Sequence, residues 1–99
     1  MKGSWKDKIA LITGASSGIG AATARELAQR GMRVILVARR KERLIELTDE
    51  IQSAGGQAQA IAADLSLPED RQRVCEQTLQ NSGAPHVLVN NAGLGWYGY

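Results

Sequence analysis

Four runs of apolar residues lie along the chain, at residues 9–12 (IALI), 34–37 (VILV), 58–63 (AQAIAA) and 87–89 (VLV). Three of these runs are uninterrupted, which is typical of strands in a parallel sheet that is covered on both faces. The run at 58–63 is weaker, because a glutamine interrupts it and most of its other residues are alanine. The pattern predicts four strands.

The segments between the runs carry apolar residues at the three- and four-residue spacing of amphipathic helices. The positions that this spacing places on the inner faces of the first two helices are Ile19, Ala22, Thr23, Leu27, Leu44, Leu47, Ile51 and Ala54. Gly31 and Gly55 are expected to end these helices, since glycine readily adopts the left-handed backbone at a helix C-terminus. Ser66 and Pro68 predict the start of a third helix, as its N-cap and first-turn residue, and Gly83 its end.

Strands that alternate with helices through short loops predict right-handed βαβ units. The fold class is therefore α/β, with a doubly wound parallel sheet of the Rossmann type. A complete fold of this kind usually has about six strands. Residues 94–99, which follow the fourth strand, have no helical or strand period. We therefore interpret residues 1–99 as the N-terminal part of a single domain, truncated after the fourth strand.

The composition agrees with one small folded domain. Hydrophobic residues make up 43% of the 99 residues and charged residues 22%, close to the averages for soluble globular proteins. A net charge of +2 is too small to predict a nucleic-acid or membrane partner. The single cysteine cannot form an internal disulfide, and no signal peptide or membrane-length apolar stretch is visible. We expect a cytoplasmic protein.

A glycine-rich turn, TGASSGIG, joins the first strand to the first helix. A helix N-terminus offers unpaired N–H groups and a partial positive charge to a phosphate. Gly14 allows a sharp turn, Gly18 allows the backbone to approach a pyrophosphate, and Gly20 allows close packing of helix and strand. Ser16 and Ser17 add hydroxyl donors. Because the turn lies between a buried strand and a helix, it predicts a dinucleotide-binding domain.

The spacing Thr-Gly-x-x-x-Gly-x-Gly resembles the classical short-chain dehydrogenase/reductase family. The resemblance covers residues 8–93 and rests on three motifs in order along the chain. After the glycine-rich turn come Asp64-Leu65, where the family contacts adenine, and the run 90–93 (NNAG) behind the fourth strand. The resemblance implies a nicotinamide dinucleotide as cofactor and hydride transfer between a carbonyl and an alcohol as the reaction.

The end of the second strand carries Arg39 and Arg40 and no carboxylate. In Rossmann domains an acidic residue near this position binds the ribose 2′-hydroxyl of NAD, whereas an arginine accommodates the 2′-phosphate of NADP. The sequence therefore favours NADP over NAD, with Arg39 as the first choice for the phosphate contact. The alternative is that the cations, with Lys41 and Arg43, form a solvated helix start in which Arg43 pairs with Glu46.

The residues predicted to bind the cofactor lie in the three motifs and at the end of the second strand. They are Gly14, Ser16, Ser17, Gly18, Ile19, Gly20, Arg39, Arg40, Asp64, Leu65, Asn90, Asn91, Ala92 and Gly93. No residue is predicted to bind a metal ion.

No residue of the chain is predicted to be catalytic. The family pairs a tyrosine with a lysine four residues later and with an upstream serine, and every lysine here lies at or before Lys41. We therefore expect the 99 residues alone to be inactive. Cys75 lacks a histidine in its sequence context, and His86, which stands where the family usually has an aspartate, is interpreted as structural.

The sequence thus predicts the NADP(H)-binding part of an oxidoreductase similar to short-chain dehydrogenases/reductases. The expected partners of the complete protein are a nicotinamide dinucleotide, a small carbonyl or alcohol substrate and further copies of itself in a homo-oligomer. The alternative is a non-catalytic nucleotide-binding or assembly module. An RNA-binding domain is disfavoured, because stacking aromatic residues are nearly absent before Trp96.

Overall fold

A computed structural model describes residues 5–16 and 18–90 of the chain. The elements, in chain order, are β1 (Ile9–Thr13), α1 (Gly18–Gln29), β2 (Arg33–Ala38), α2 (Lys41–Ser53), β3 (Gln57–Ala62), α3 (Pro68–Asn81) and β4 (Val87–Asn90). All strand pairs are parallel, and the order across the sheet is β3-β2-β1-β4. The predicted α/β class and Rossmann-type sheet are confirmed.

The order of the strands reverses at β1, which lies between β2 and β4. After β1 the chain builds β2 and β3 on one side of it, and then crosses to place β4 on the other side. Thr13, the last residue of β1, is in register with Val37 of β2 and with Asn90 of β4. In sheets of this kind, ligands bind outside the carboxyl ends of the strands where the order reverses. That position lies between β1 and β4.

The sheet is covered on both faces because successive residues of each strand point to opposite sides. One apolar cluster joins β1 and β2 to α1 and α2, through Ala10, Ile12, Val34, Leu36, Ala24, Ala28, Leu44, Leu47 and Ile51. The other cluster joins the same strands to β3 and α3, through Ile9, Ile35, Val37, Ile61, Ala63 and Val74. Burial of both strand faces explains why the runs at 9–12 and 34–37 are apolar throughout.

The inner face of α1 differs in part from the predicted one. Leu27 packs against the apolar cluster as predicted, whereas Ile19 and Ala22 are exposed. The buried residues are Gly20, Ala24 and Ala28. A repeat of small residues every four positions lets the helix lie close to the sheet. A helical spacing of larger apolar residues does not predict this repeat. On α2 the predicted inner-face residues Leu44, Leu47 and Ile51 are buried, as expected. Ala54, the last predicted position, lies beyond the helix as its C-cap residue.

The start of α3 also differs from the prediction. Leu67, rather than Ser66, is the N-cap residue, and it makes no side-chain cap hydrogen bond. The Ser66 hydroxyl instead donates to the Asp64 carboxylate, at 2.7 Å from Oδ1. Pro68 occupies the first turn of the helix as predicted. A serine one residue before the cap therefore stabilises the preceding turn instead of the helix.

Candidate functional site

The glycine-rich turn leaves the end of β1 and reaches toward β2. Gly14 has a φ of +63°, in the left-handed region that favours glycine. The next residue, Ala15, is fully buried, and its N–H donates to the carbonyl oxygen of Val37 at 3.1 Å. The turn is thus held over the carboxyl ends of two neighbouring strands.

Gly20 is required by the fold itself. A Cβ atom at this position would overlap the carbonyl oxygen of Gly14 and lie 3.0 Å from the Cα atom of Ala15. The sequence predicts that Gly20 allows close packing between the helix and the strand. In the structure the close approach is instead between α1 and the turn that precedes it. A glycine here lets the first turn of α1 pack directly on the backbone of the glycine-rich turn.

Gly18 contrasts with Gly20, although both lie in the first turn of α1. A Cβ atom at Gly18 would have no atom of the described chain within 4 Å, apart from its immediate neighbours. The fold of the described residues therefore gives no reason for a glycine at this position. The open space lies at the N-terminal end of a 12-residue helix, where N–H groups attract anions.

The other turn residues flank this open space. Ser16 is half-buried beside α1 and α2, whereas the Ile19 side chain is 73% exposed at the first turn of α1. An isoleucine so far exposed is available for apolar contact with a bound molecule. Ser17 lies outside the described residues.

Arg39 and Arg40 follow β2 at the same edge of the sheet. Both side chains are exposed, and neither guanidinium makes a hydrogen bond or ion pair with a described residue. Arg40 is the N-cap residue of α2 and forms no side-chain cap hydrogen bond. Two cations that form no ion pair with a described residue therefore lie beside the glycine-rich turn, which is the electrostatic environment that an anionic ligand favours.

The Asp64 carboxylate lies after β3, at the same edge. Its Oδ1 atom accepts hydrogen bonds from the Ser66 hydroxyl at 2.7 Å and from the Ser66 N–H at 3.0 Å. These two bonds, with a smaller contribution from the positive charge of Arg39, lower the pKa of Asp64 below its ordinary value. A negative charge near Arg39 is thus fixed in position by the turn.

The backbone around Asp64 is tied to α3. The Asp64 N–H donates to Oδ2 of Asp70 at 2.8 Å, and the Leu65 carbonyl accepts from Arg71 at the same distance. Leu65 itself is half-buried against the apolar cluster on the α3 side of the sheet. The turn after β3 is therefore rigidly attached to the sheet and to the helix that follows.

The ends of β1 and β4 are joined through side chains. The Thr13 hydroxyl donates to Oδ1 of Asn90 at 3.0 Å and lies 3.4 Å from the Val89 carbonyl oxygen. This bond fixes the amide of Asn90 at the reversal of the strand order. The remaining motif residues, Asn91, Ala92 and Gly93, lie outside the described residues.

His86 joins β4 to β1 at the opposite end of these strands. Its N–H donates to the Ile9 carbonyl at 2.8 Å, and its Nδ1 atom accepts from the Ile9 N–H at 3.1 Å. The structural role that the sequence predicts for His86 is confirmed, and its partner is a residue 77 positions away.

A cavity of about 140 Å³ lies behind the glycine-rich turn, and we call it the turn–α2 cavity. Ser16 of the turn, Arg25 of α1, and Arg43, Glu46 and Glu50 of α2 contribute its polar lining. The sequence alone does not predict that these residues meet at one site, because they come from three separate segments. The signal in the sequence was a third arginine, Arg43, within the first turn of α2.

The ion pairs around this cavity differ from the predicted one. Arg43 and Glu46 form no ion pair. Arg25 instead binds Glu50 through two hydrogen bonds of 2.6 and 3.1 Å, which raise the pKa of its guanidinium above the ordinary value. A contact between α1 and α2 thus neutralises one pair of charges and leaves Arg43 without a carboxylate partner in the described chain.

Two features are absent from the residues that the structure describes, a metal-binding cluster and a membrane-spanning helix. Within 5–16 and 18–90, no three His, Cys, Asp or Glu side chains are grouped so that they could hold a metal ion. Over the same residues, no helix has the length and apolar character needed to cross a membrane.

The chain is similar to known oxidoreductases. A family model described as short chain dehydrogenase matches residues 8–98. An uncharacterised oxidoreductase of Bacillus subtilis (strain 168) is 43% identical over 94 residues, which are 95% of this chain and 26% of that protein. Cyclohexanol dehydrogenase of Acinetobacter sp. (strain SE19) is 42% identical over 94 residues, 95% of this chain and 38% of the relative. The chain thus spans well under half the length of these relatives.

Solved structures share the same fold. A metagenomic short-chain oxidoreductase in complex with NADP has a TM-score of 0.87 and 46% identity, over 96% of this chain and 43% of that one. L-Sorbose reductase from Gluconobacter frateurii, complexed with NADPH and L-sorbose, has a TM-score of 0.89 and 37% identity, over 100% and 38%. A short chain dehydrogenase/reductase from Burkholderia phymatum in complex with NAD has a TM-score of 0.81 and 30% identity, over 86% and 30%.

Proposed function

This chain belongs to the short-chain dehydrogenase family, and on that premise we propose that it is the NADP(H)-binding part of an oxidoreductase that interconverts a carbonyl and an alcohol. The observation that carries the cofactor preference is the pair of arginines at the end of β2, Arg39 and Arg40, neither of which forms an ion pair with a described residue. No carboxylate stands there to bind the 2′-hydroxyl of NAD(H). The solved relatives that hold NADP or NADPH support this preference, whereas a relative that holds NAD keeps the alternative open to experiment.

The described residues fit a dinucleotide along the carboxyl edge of the sheet. The open space at Gly18 would receive the pyrophosphate, because a side chain there would occupy it. The space lies at the N-terminal end of α1, where unpaired N–H groups attract anions. Ser16 and Ser17 are proposed as hydroxyl donors to the same phosphates. Gly14 and Gly20 hold the turn in the shape that creates this space.

The positions of the charged residues indicate how a bound dinucleotide would be oriented across the sheet. Arg39 follows β2 and Asp64-Leu65 follows β3, so the adenosine end would lie over that side of the sheet. The other end would then cross β1 and extend toward Asn90 of β4, and residues 91–93 continue from there along the chain. When it is bound, the nicotinamide supplies the hydride acceptor or donor.

The residues of this chain would bind and orient the cofactor. The Asn90 amide, fixed by the Thr13 hydroxyl, would define the edge of the site at β4. None of the described residues is proposed to exchange protons with a substrate. The substrates named for the relatives, cyclohexanol and L-sorbose, support a small alcohol or carbonyl compound as the substrate of the complete protein.

The preference is tested with the variant Arg39→Ala in the protein that carries this chain. A charged hydrogen bond contributes about 1.5 to 3 kcal/mol, so the dissociation constant for NADP⁺ should rise roughly tenfold to a hundredfold. The dissociation constant for NAD⁺ should stay within about twofold, because NAD⁺ has no 2′-phosphate. Isothermal titration calorimetry measures both constants.

Arg30→Ala is the matched control, since Arg30 is an exposed arginine at the far end of α1 that pairs with Glu26. It should leave both dissociation constants unchanged. Equal losses of NADP⁺ and NAD⁺ affinity in Arg39→Ala would contradict the proposed preference. If neither nucleotide bound to the unsubstituted protein, the assignment of the site itself would be contradicted.

A further inference from the structure

β3 is the outer strand of the sheet on the side opposite β4, and among the described strands it pairs only with β2. The Ala63 N–H, just after the strand, donates to the Ala38 carbonyl at the end of β2 at 2.9 Å. The peptide groups of successive residues point alternately to the two sides of a strand, so those of Ala58, Ala60 and Ala62 point away from β2. The free edge of β3 therefore consists of the N–H and C=O groups of these three alanines, and we call them the β3 edge.

Two carbonyls of the β3 edge are already bound by side chains. Gln52 of α2 donates from Nε2 to the Ala58 carbonyl oxygen at 3.0 Å. Arg73 of α3 donates from Nη2 to the Ala62 carbonyl oxygen, also at 3.0 Å. Because α2 and α3 pack on opposite faces of the sheet, the two side chains reach the same edge from both sides. No described residue donates to the Ala60 carbonyl, which lies between the other two.

The other usual protections of an edge strand are missing from β3. Its sequence, QAQAIA, contains no charged residue and no proline, the side chains that commonly oppose the addition of another strand. Space beside the strand is also available. A cavity of about 350 Å³ lies along its first residues, and its walls include Gln52 of α2 on one side and Ser82 at the end of α3 on the other. The hydrogen bonds from Gln52 and Arg73 are therefore what distinguishes this edge from an open one.

The two bound carbonyls are the ones that a second copy of the chain would need. Antiparallel pairing of two β3 strands about a two-fold axis at Ala60 would let the two Ala60 residues exchange both of their hydrogen bonds. Ala58 of each copy would then exchange hydrogen bonds with Ala62 of the other. Of the carbonyls in this ladder, only those of Ala60 have no hydrogen bond from a described residue.

We propose that Gln52 and Arg73 block the addition of a second β3 strand at this edge, so that copies of the chain do not associate through β3. An added strand would first have to displace both side chains from the carbonyls of Ala58 and Ala62. The block is supplied by the two helices that flank β3 along the chain, and it therefore forms together with the sheet. This inference goes beyond the proposed function and does not depend on the cofactor.

The experiment uses the full chain and the double variant Gln52→Met/Arg73→Met. Methionine keeps an unbranched side chain suited to a helix but has no N–H group to donate. Backbone hydrogen exchange, read at single residues by NMR, is measured at low and at high protein concentration. The Ala60 N–H of the unsubstituted chain should exchange at the same rate at both concentrations. In the double variant its exchange should slow about tenfold at the higher concentration, because the N–H would then be bonded to a second copy.

The matched control is Gln72→Met/Arg30→Met, which removes the same two residue types where they bond to Glu76 and Glu26 instead of to β3. It should leave the exchange of Ala60 independent of concentration. Because the readout is at Ala60, pairing of copies at any other edge does not change it. Thermal unfolding establishes that each variant is folded.

Three results would overturn the proposal. Concentration-dependent slowing at Ala60 in the unsubstituted chain would show that the edge is open although both side chains are present. Unchanged exchange in the folded double variant would show that the two hydrogen bonds do not oppose pairing. Equal slowing in the control variant would assign the effect to a general loss of surface polarity. The single variants Gln52→Met and Arg73→Met should each slow the exchange by less than the double variant, and they provide the same test if the double variant does not fold.

Discussion

Gly18 and Gly20 lie in the same helical turn, but glycine is favoured at the two positions for different physical reasons. Gly20 is fixed by the protein itself, because a Cβ atom there would collide with the backbone of Gly14 and Ala15. Gly18 meets no such neighbour among the described residues, which is consistent with the pyrophosphate contact that we propose for it. Glycine at position 20 is thus required by the fold, whereas glycine at position 18 is required only by the proposed function.

The variants Gly20→Ala and Gly18→Ala should separate stability from binding. Gly20→Ala forces the turn and helix apart, and overpacking of this kind costs about 1 to 3 kcal/mol of unfolding free energy. Gly18→Ala should keep or raise that free energy, by up to about 1 kcal/mol, since alanine is the better helix former. It should nevertheless weaken NADP⁺ binding. Urea unfolding and calorimetry measure the two effects, and unchanged NADP⁺ affinity in Gly18→Ala would contradict the assignment.

At the scale of elements, short polar turns connect each strand to the next helix and fix the edge of the sheet. The turn from β3 to α3 is held by the Asp64 carboxylate, which accepts two hydrogen bonds from Ser66. The backbone of the same turn is held by Asp70 of α3. The charge that faces Arg39 is therefore part of the connection between two elements.

The variant Ser66→Ala should raise the pKa of Asp64 toward its ordinary value of about 3.9. The bonds from Ser66 are the largest cause of the lowered pKa and Arg39 is a smaller one, so Arg39→Ala should raise it by less. Because the pKa is lowered in the folded state, the carboxylate stabilises the fold above the unfolded-state pKa. This stabilisation is lost as the pH falls through the folded-state pKa.

Acid unfolding of Ser66→Ala should consequently begin at a higher pH than that of the unsubstituted chain. A carbon-13 NMR titration of the Asp64 carboxyl group measures the pKa directly, with Ser53→Ala at the end of α2 as control. A larger rise in Arg39→Ala than in Ser66→Ala would show that the assigned order of causes is wrong.

At the scale of the whole molecule, the sheet has an exposed apolar edge. No strand among the described residues pairs with the outer side of β4, and Leu88 in its middle is 52% exposed. The strand Val87–Asn90 contains no charged residue and no proline to discourage pairing with another chain. The edge is therefore suited to association through backbone hydrogen bonds.

The 99-residue chain on its own should self-associate through this edge. Light scattering should give an apparent mass that rises with concentration, and Leu88→Lys should reduce the rise because a lysine on an edge strand opposes pairing. Ile45→Lys is the control, since Ile45 is 46% exposed on α2, away from the edge. A monodisperse, cooperatively unfolding monomer at every concentration would contradict this prediction.

The sequence by itself determined the order of the helices and strands and the shape of the glycine-rich turn. Apolar runs with helical segments between them gave the parallel sheet, because strand and helix periods are local and each is visible within a few residues. The glycines were equally informative. Three local features are properties of short segments. They are the positive φ of Gly14, the collision that Gly20 avoids and the first-turn position of Pro68.

Only the tertiary structure decided which residues meet across the fold. His86 finds the Ile9 N–H 77 residues away, and Arg25 takes Glu50, 25 residues away, as its partner. Arg43 is consequently left beside a cavity without the helical ion pair that its spacing predicts. These contacts depend on how closely α1 and α2 pack on the sheet, and local sequence patterns do not encode the distance between segments far apart in the chain.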